Sequence, residues 1–415
     1  MYWRVTGKYI YADKQEEDRR VNTLCSVTTC KNNYTLTVYR QVCGPSLRSL
    51  RKPAQHSNFN FPIQAYISPL NITFGCGQIY CLYIRMKKNI ALLAGGYSGE
   101  FVISIKTAET IEKNLDTNLY NVYKIIVTKD EWYHEHGKKI QVDKNDFSLL
   151  VDGHKIIFDC VFIAMHGSPG EDGRIQGYLD MMQIPYTTCN AIVSALTFNK
   201  SYCNKVVKAF NVVNIANSVH LIKGEPYSMG AVLDELKLPV FVKPNESGSS
   251  LGVSKVKNVE ELLPAIEKAF GEDKQVLIEE FIEGRELTIG VYKVNGLLTA
   301  LPATEILSQN EFFDYEAKYT PGVTKEITPA QIPAQVKEQL ETKAMYIYRH
   351  LNCRGIVRMD FILEAKTNKL FFLEVNTMPG QSENSIVPQQ VRAAGMDLKK
   401  FYGDLLEDCL RNHSL

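Results

Sequence analysis

Two apolar runs near the C-terminus, Ile356–Leu363 and Leu370–Val375, are joined by the short polar link Glu364–Lys369. That pattern predicts a β-hairpin. Far upstream, "KNIALLAGG" (88–96) and "FDCVFIAMHG" (158–167) are continuous apolar runs ending in glycine. Such runs are typical of parallel strands buried on both faces. Residues 104–114 are spaced as an amphipathic helix, and "GRIQGYLDMMQIPYTT" reads as a helix stopping near Pro185. Strand–helix alternation predicts a small parallel-sheet α/β domain over 86–187. The texture then changes. A helical stretch carrying "SALTFNKSYCNKVV" precedes the strand "LPVFVKP" (238–244), the loop "NESGSSLG", the strand "VSKVKN", a helix over 258–270 and the strand "QVLIEEFI". This predicts an α+β unit over 188–280. A third unit, 281–415, holds the strands "ELTIGVYKVNG" and "LLTALPATEIL", the loop "FFDYEAKYTPGVTKEITPA", a helix over 333–350, the hairpin and helices within 386–411. No internal repeat or low-complexity tract interrupts the series.

Composition changes this picture at one end. The chain has 415 residues, a net charge of +1 and 45% hydrophobic residues, enough for two or three cores. Near-neutral charge argues against a nucleic-acid partner, and no run of 18 apolar residues predicts a membrane helix. Yet residues 1–85 carry a net +7, hold five of the ten cysteines and have poor periodicity. A secretory signal is ruled out by the missing apolar segment. A disulfide domain is opposed by the odd cysteine number. The reading adopted is an extension, disordered or not natively translated, with Met86 as the working start. The other five cysteines (Cys160, Cys189, Cys203, Cys353, Cys409) lack CxxC spacing and read as buried thiols.

Chemistry concentrates in five places. In the hairpin, Arg358 and Asp360 share one face, as do Glu374 and Asn376. Two buried carboxylates need cations. Asp, Glu and Asn offer oxygen ligands only, which suits Mg²⁺ held together with phosphates. A plain arginine–carboxylate bridge is the alternative. In "VFVKPNESGSSLG" a strand delivers Lys243 to a Gly/Ser loop that can form an anion nest, with Gly248 supplying positive φ; an ordinary polar turn is the alternative. No Walker loop occurs. In "VLIEEFIEGRELTIG", Glu279 and Glu286 flank a connection that could receive adenine and ribose, or form a solvated acidic face. His166 ends a parallel strand, where open sheets bind ligands, unless it is structural. Glu100, in "GGYSGE", repels phosphate and suits a substrate ammonium. His134 and His136 read as surface.

Taken together these pieces describe an ATP site without a Walker loop. In order, "GGYSGE", "HGSPGEDGRIQG", "LTFNK", "VKPNESGSSLG", "LIEEFIEGRE", "FFDYEAKYT", "RMDFI" and "LEVNTMPGQSENSIVP" resemble the D-alanine–D-alanine ligases of the ATP-grasp superfamily over residues 86–411. The resemblance implies an ATP-grasp fold preceded by the small N-terminal domain. It also implies ATP-dependent joining of two D-alanines through a D-alanyl phosphate, for peptidoglycan precursors in the cytoplasm, by a homodimer that needs neither membrane nor nucleic acid. It implies two Mg²⁺ ions, for which Mn²⁺ can substitute, on Asp360, Glu374 and Asn376. Lys200 and Lys243 would bind phosphates, with Ser249 and Ser250 in the closing loop and Lys318 on the transferred group. Glu279, Glu280 and Ile282 would line the adenine hinge and Glu286 would hold the ribose. Arg358 and the Gly380 N–H would meet the oxyanion. Glu100 and His166 belong to the first D-alanine, Ser385 and Ile386 to the second. Glu100, Ser249 and Tyr319 would orient and help deprotonate the incoming amine. A tyrosine at 319 implies dipeptide rather than D-alanine–D-lactate formation; a depsipeptide ligase or another ATP-grasp D-amino-acid ligase is the alternative. Departures are "FVIS" after Glu100, Glu280 where relatives often carry Lys, and Ile386 where they often carry Leu. An inactive nucleotide-binding regulator would show a broken phosphate or metal set, and none of Lys200, Lys243, Arg358, Asp360, Glu374 and Asn376 is missing.

Overall fold

The computed structural model describes residues 87–248, 251–308 and 324–412, together with the backbone of four strands further upstream. Residues 1–88 with 117–121 form one unit and the rest another. In the first, β1 (Ser26–Cys30), β2 (Tyr34–Arg40), β3 (Ala65–Phe74) and β4 (Gly77–Met86) pair in the order β1-β2-β4-β3. The rest of 1–85, all of its side chains included, lies outside the described residues, and with it the expectation placed on that stretch.

Along the chain there follow β5 (Lys88–Gly95), α1 (Phe101–Asn114), β6 (Tyr120–Val127), β7 (Trp132–Glu135), β8 (Lys139–Gln141), β9 (Leu149–Val151), β10 (His154–Ile156), β11 (Cys160–Ile163) and α2 (Arg174–Met181). Five strands form a sheet in the order β11-β5-β6-β7-β8, with β11 parallel to β5. Residues Ile90–Ala94 and Cys160–Met165 are almost wholly buried, as their unbroken apolar runs require. Helix α1 buries Ser104, Thr107, Ala108 and Ile111, an i, i+3, i+4, i+7 stripe.

Next come α3 (Ala191–Phe198), α4 (Lys200–Ala209), β12 (Asn214–Ile215), β13 (Ser218–Ile222), α5 (Met229–Glu235), β14 (Val240–Pro244), β15 (Ser254–Val256), α6 (Val259–Glu272) and β16 (Gln275–Glu280). The single helix expected around "LTFNK" is two. Asn199 takes an extended conformation, and its side chain accepts from the Tyr202 amide, capping α4 while α3 ends. A four-stranded sheet, β13-β16-β14-β15, packs Val240, Val242 and Ile278 against Leu262 and Ile266 of α6.

The remaining elements are β17 (Gly284–Val294), β18 (Leu297–Ala300), β19 (Thr304–Ser308), β20 (Thr324–Ile327), α7 (Ala334–His350), β21 (Ile356–Glu364), β22 (Leu370–Asn376), α8 (Ile386–Ala393) and α9 (Leu398–Asn412). Their sheet runs β12-β22-β21-β17-β19-β20, with β18 also on β17. The end of the expected loop 311–330 is therefore a strand, because Thr324–Ile327 finds β19 as a partner. Cys189, Val193, Cys203 and Val207 of the α3–α4 region pack into this third core with Leu340, Ile347 and Phe361. The five downstream cysteines are free thiols, four of them buried.

Candidate active site

The predicted hairpin forms, with Arg358 opposite Asn376 and Asp360 opposite Glu374. A bulge after Asp360 brings Phe361 opposite Phe372 and leaves Leu373 without a partner. It re-aims Glu374 and Asn376 beside Asp360. Arg358 forks onto Asp360, Nε to Oδ1 at 2.9 Å and Nη2 to Oδ2 at 2.8 Å. The Thr288 hydroxyl of the adjacent strand donates to the same Oδ1 at 2.5 Å. Asp360 is 6% exposed. Burial alone would lower the Arg358 pKa, but Asp360, Glu374 and Glu286 outweigh it and hold the guanidinium charged. Both readings of the hairpin thus meet in one place. The arginine–carboxylate bridge exists, and Asp360, Glu374 and Asn376 still form an oxygen-only set that fits Mg²⁺ or Mn²⁺.

These residues line a cavity of about 810 Å³, within the range of small-molecule sites. Its walls include Lys200, Lys243, Glu279, Glu280, Ile282 and Glu286. Lys200 opens α4, whose first turn is tied to the loop after β14: the Lys200 amide donates to Asn245 O at 3.2 Å and the Ser201 amide to Asn245 Oδ1 at 2.8 Å. The lysine then spans the cavity floor, donating to Ser247 O at 2.8 Å and lying 3.3 Å from Glu374. Desolvation works against its charge, yet Glu374, Glu171 and Glu279 raise its pKa on balance. Lys243 pairs with Glu279, which also accepts from Asn204 Nδ2 at 2.9 Å. Glu279, expected at the adenine hinge, thus turns its carboxylate toward the phosphate lysine. Glu280 accepts from the Asn217 amide at 3.0 Å and from Asn217 Nδ2 at 3.2 Å. Phe241, Phe281, Ile282 and Ala216 supply the apolar walls nearby.

At the other end stand Glu100, His166, Gly380, Ser385 and Ile386. Gly248 is needed here for space rather than for positive φ, which falls on Gly252 instead. A Cβ on Gly248 would lie 2.7 Å from Glu100 Oε2. His166 is buried, donates from Nδ1 to Met378 O at 2.9 Å and meets the Thr107 hydroxyl at 3.0 Å through Nε2. Burial alone would depress its pKa, but Glu171 at 3.8 Å and Glu100 raise it. The Met378 amide donates to Asn376 Oδ1 at 3.0 Å, and the Met378 side chain sits in the N-terminal core. The loop bearing Gly380 is thereby clamped at both edges, and the Ser382 and Ser385 hydroxyls lie 2.6 Å apart within it.

Ser249, Ser250, Lys318 and Tyr319 lie outside the described residues. Every other predicted site residue borders this one cavity. Three participants escaped the sequence reading: Thr288, Glu171 and Asn204. Glu171 stands inside "HGSPGEDG" five places after His166, a usable signal; the others act from distant strands or helices and leave none.

The profile described as D-ala D-ala ligase N-terminus matches residues 89–189, and that described as D-ala D-ala ligase C-terminus matches 208–407. A D-alanine--D-alanine ligase of Parabacteroides distasonis is 49% identical over 329 residues, 79% of this chain and 99% of the relative. The crystal structure of the VanG D-Ala:D-Ser ligase from Enterococcus faecalis superposes with a TM-score of 0.71 at 31% identity, covering 78% of this chain and 99% of that one. A D-alanine--D-alanine ligase from Bacillus anthracis, complexed with ATP, gives 0.62 at 28% identity, with 79% and 98% covered.

Proposed function

The chain belongs to the D-alanine–D-alanine ligase family, and from that premise we propose how its residues join two D-alanines at the expense of ATP. One observation carries the assignment: Asp360 faces Glu374, and Arg358 faces Asn376, in a single cavity with Lys200 and Lys243. The family reaction has two steps. The γ-phosphoryl group passes to the carboxylate of the first D-alanine. The amine of the second then attacks the acyl phosphate, and the tetrahedral intermediate expels phosphate.

Lys200 and Lys243 hold the triphosphate. Their partners Glu374 and Glu279 keep both ammonium groups in place before ATP arrives. Glu286 takes the ribose hydroxyls, and Glu280 and Ile282 lie at the adenine hinge. Asp360, Glu374 and Asn376 would hold two Mg²⁺ ions, which neutralise phosphate charge when bound. Glu100 holds the first ammonium, with His166 packed behind the same pocket. Arg358 and the Gly380 N–H would meet the developing oxyanion. Ser385 and Ile386, at the start of α8, receive the second D-alanine. By the family resemblance, Ser249 and Ser250 would serve the phosphates, Lys318 the transferred group, and Tyr319, with Glu100 and Ser249, the attacking amine.

Among the described residues no helix is long and apolar enough to cross a membrane. The proposal extends to a cytoplasmic homodimer serving peptidoglycan synthesis, with residues 86–187, 188–280 and 281–415 as its working units and 1–85 outside them. Release of ADP in the presence of D-alanine tests the site. Asp360→Ala and Glu374→Ala should each lower turnover by more than about a hundredfold, the scale of losing one electrostatic partner of the transition state. Near-normal kcat in saturating Mg²⁺ would remove both residues from the metal site.

A further inference from the structure

We propose that Cys160 and Cys409 are an oxidation site, a thiol pair that a hydroperoxide converts to a disulfide stapling the C-terminal helix to the N-terminal sheet. Cys160 opens β11, pairs in register with Ile90 of β5 and is fully buried. Cys409 lies in α9 and is partly exposed. The two sulfurs are 3.3 Å apart, although 249 positions separate them in the chain. A second contact fixes the same alignment. Tyr402 stands two helical turns before Cys409, and Phe162 stands two positions after Cys160. Their rings meet edge to face at 6.0 Å. Residues seven apart share a helix face and residues two apart share a strand face, so both contacts belong to one helix face laid on one strand. The helix is held by β17 as well. Phe401 meets the Tyr292 ring at 5.2 Å, and Asp408 Oδ1 accepts from the Asn295 amide at 2.7 Å. The packing of a whole helix therefore brings the thiols together.

The two sulfurs have different parts. Burial pushes the Cys160 thiol up, which keeps it protonated. Among the described residues Cys409 is the one free thiol that is not buried, so the oxidant meets it first. Its sulfur attacks the O–O bond of the hydroperoxide and becomes a sulfenic acid, releasing an alcohol, or water where the oxidant is hydrogen peroxide. The Cys160 sulfur then attacks the Cys409 sulfur. The S–O bond breaks, and the hydroxyl leaves as water with the Cys160 proton. Two thiols have lost two electrons and one hydroperoxide has gained them. Cys189 and Cys353 are also neighbours, but both lie inside the third core, and Cys189 Sγ accepts from the Arg354 amide at 3.3 Å. An oxidant has no path to that pair, and it serves as the internal comparison.

The full chain is treated with hydrogen peroxide, digested without reductant and read by mass spectrometry. The expected product is a linked Cys160–Cys409 peptide, two hydrogens lighter than its parts and cleaved by dithiothreitol, while Cys189 and Cys353 are recovered as thiols. A cross-link that closes so long a loop restricts the unfolded chain. The thermal midpoint should therefore rise by about 5 °C on oxidation and return on reduction. Cys409→Ser changes a partly exposed position and should abolish both the linked peptide and the shift. Cys409 recovered as a thiol or a sulfinic acid, or joined to any cysteine other than Cys160, overturns the proposal. So does a linked protein whose midpoint has not moved, and so does a shift that survives in C409S.

Discussion

At the scale of single residues, Asp360 is held from two sides, by the Arg358 fork on its own strand and by the Thr288 hydroxyl on the next. Arg358, Asp360, Glu374 and Asn376 announced themselves because polar groups inside apolar runs need a reason. Thr288 did not, since its bond to Asp360 spans 72 residues of sequence. Gly248 was recognised for the wrong cause. Its φ is not positive; a Cβ there would instead press on the carboxylate end of the Glu100 side chain. Gly248→Ala must therefore move either the phosphate loop or the carboxylate. The first-site KM for D-alanine should rise by about tenfold, corresponding to roughly 1.4 kcal/mol; steady-state kinetics at saturating ATP reads it, and an unchanged KM would show that the loop yields freely. His166 offers a second residue-scale test. Burial disfavours its charge, but Glu171 and Glu100 raise its pKa above the ordinary 6.5. A proton bound more tightly in the folded state stabilises it fully below that ordinary value, and the benefit is lost as pH climbs through the raised one. Thermal midpoints should fall across that window, and His166→Gln should flatten the decline. A parallel decline in the variant would assign the slope to other groups.

At the scale of elements, strands of period two and continuous apolar runs were read correctly, while breaks and joins were missed. Nothing in "LTFNK" other than Asn199 marks the division between α3 and α4, and what holds the cap in place comes from the loop after β14: Glu246 accepts from Asn199 Nδ2 and Asn245 from the Ser201 amide. The joint between α8 and β17 was equally hidden. On the edge of β17 that faces β18 and β19 the ladders lapse at Gly290, whose carbonyl accepts from the Leu301 amide while the buried Gln390 side chain meets its amide. Gln390 Oε1 accepts from the Gly290 amide at 2.9 Å, and its Nε2 donates to Thr288 O at 3.0 Å and Thr304 Oγ1 at 3.1 Å. The helix that starts at Ser385 is thus pinned to the strand that supports Asp360. Gln390→Ala would leave a buried donor and acceptor unpaired, about 2–4 kcal/mol together. Urea denaturation should show that loss, and Gly290 should exchange its amide hydrogen faster than its strand neighbours. A variant as stable as the parent would mean that water replaces the side chain.

At the scale of the whole molecule, the order of segments predicted α/β and α+β units after Met86, the resemblance of the motifs named the ATP-grasp ligases, and the structural likeness agrees. What sequence order could not convey is that helices α3 and α4, adjacent in the chain to the central sheet, bury their faces in the third core. The Parabacteroides distasonis ligase is matched over 99% of its length by 329 residues of this chain. A polypeptide beginning at Met86 should therefore release ADP with D-alanine at the rate of the full chain. A loss of more than about tenfold, with the shorter chain still folded by circular dichroism, would show that residues 1–85 contribute to turnover.

The clamp on Met378 has a consequence for how such an enzyme can be assembled from parts. Its amide is held by Asn376, its carbonyl by His166, and its side chain by the interior of the amino-terminal domain. The ATP-handling half and the amino half should therefore be exchangeable only between relatives that share this socket. A chimera with a foreign amino half that lacks this socket would keep its nucleotide grip and lose the alignment of Gly380. Recombination should have carried the two halves together.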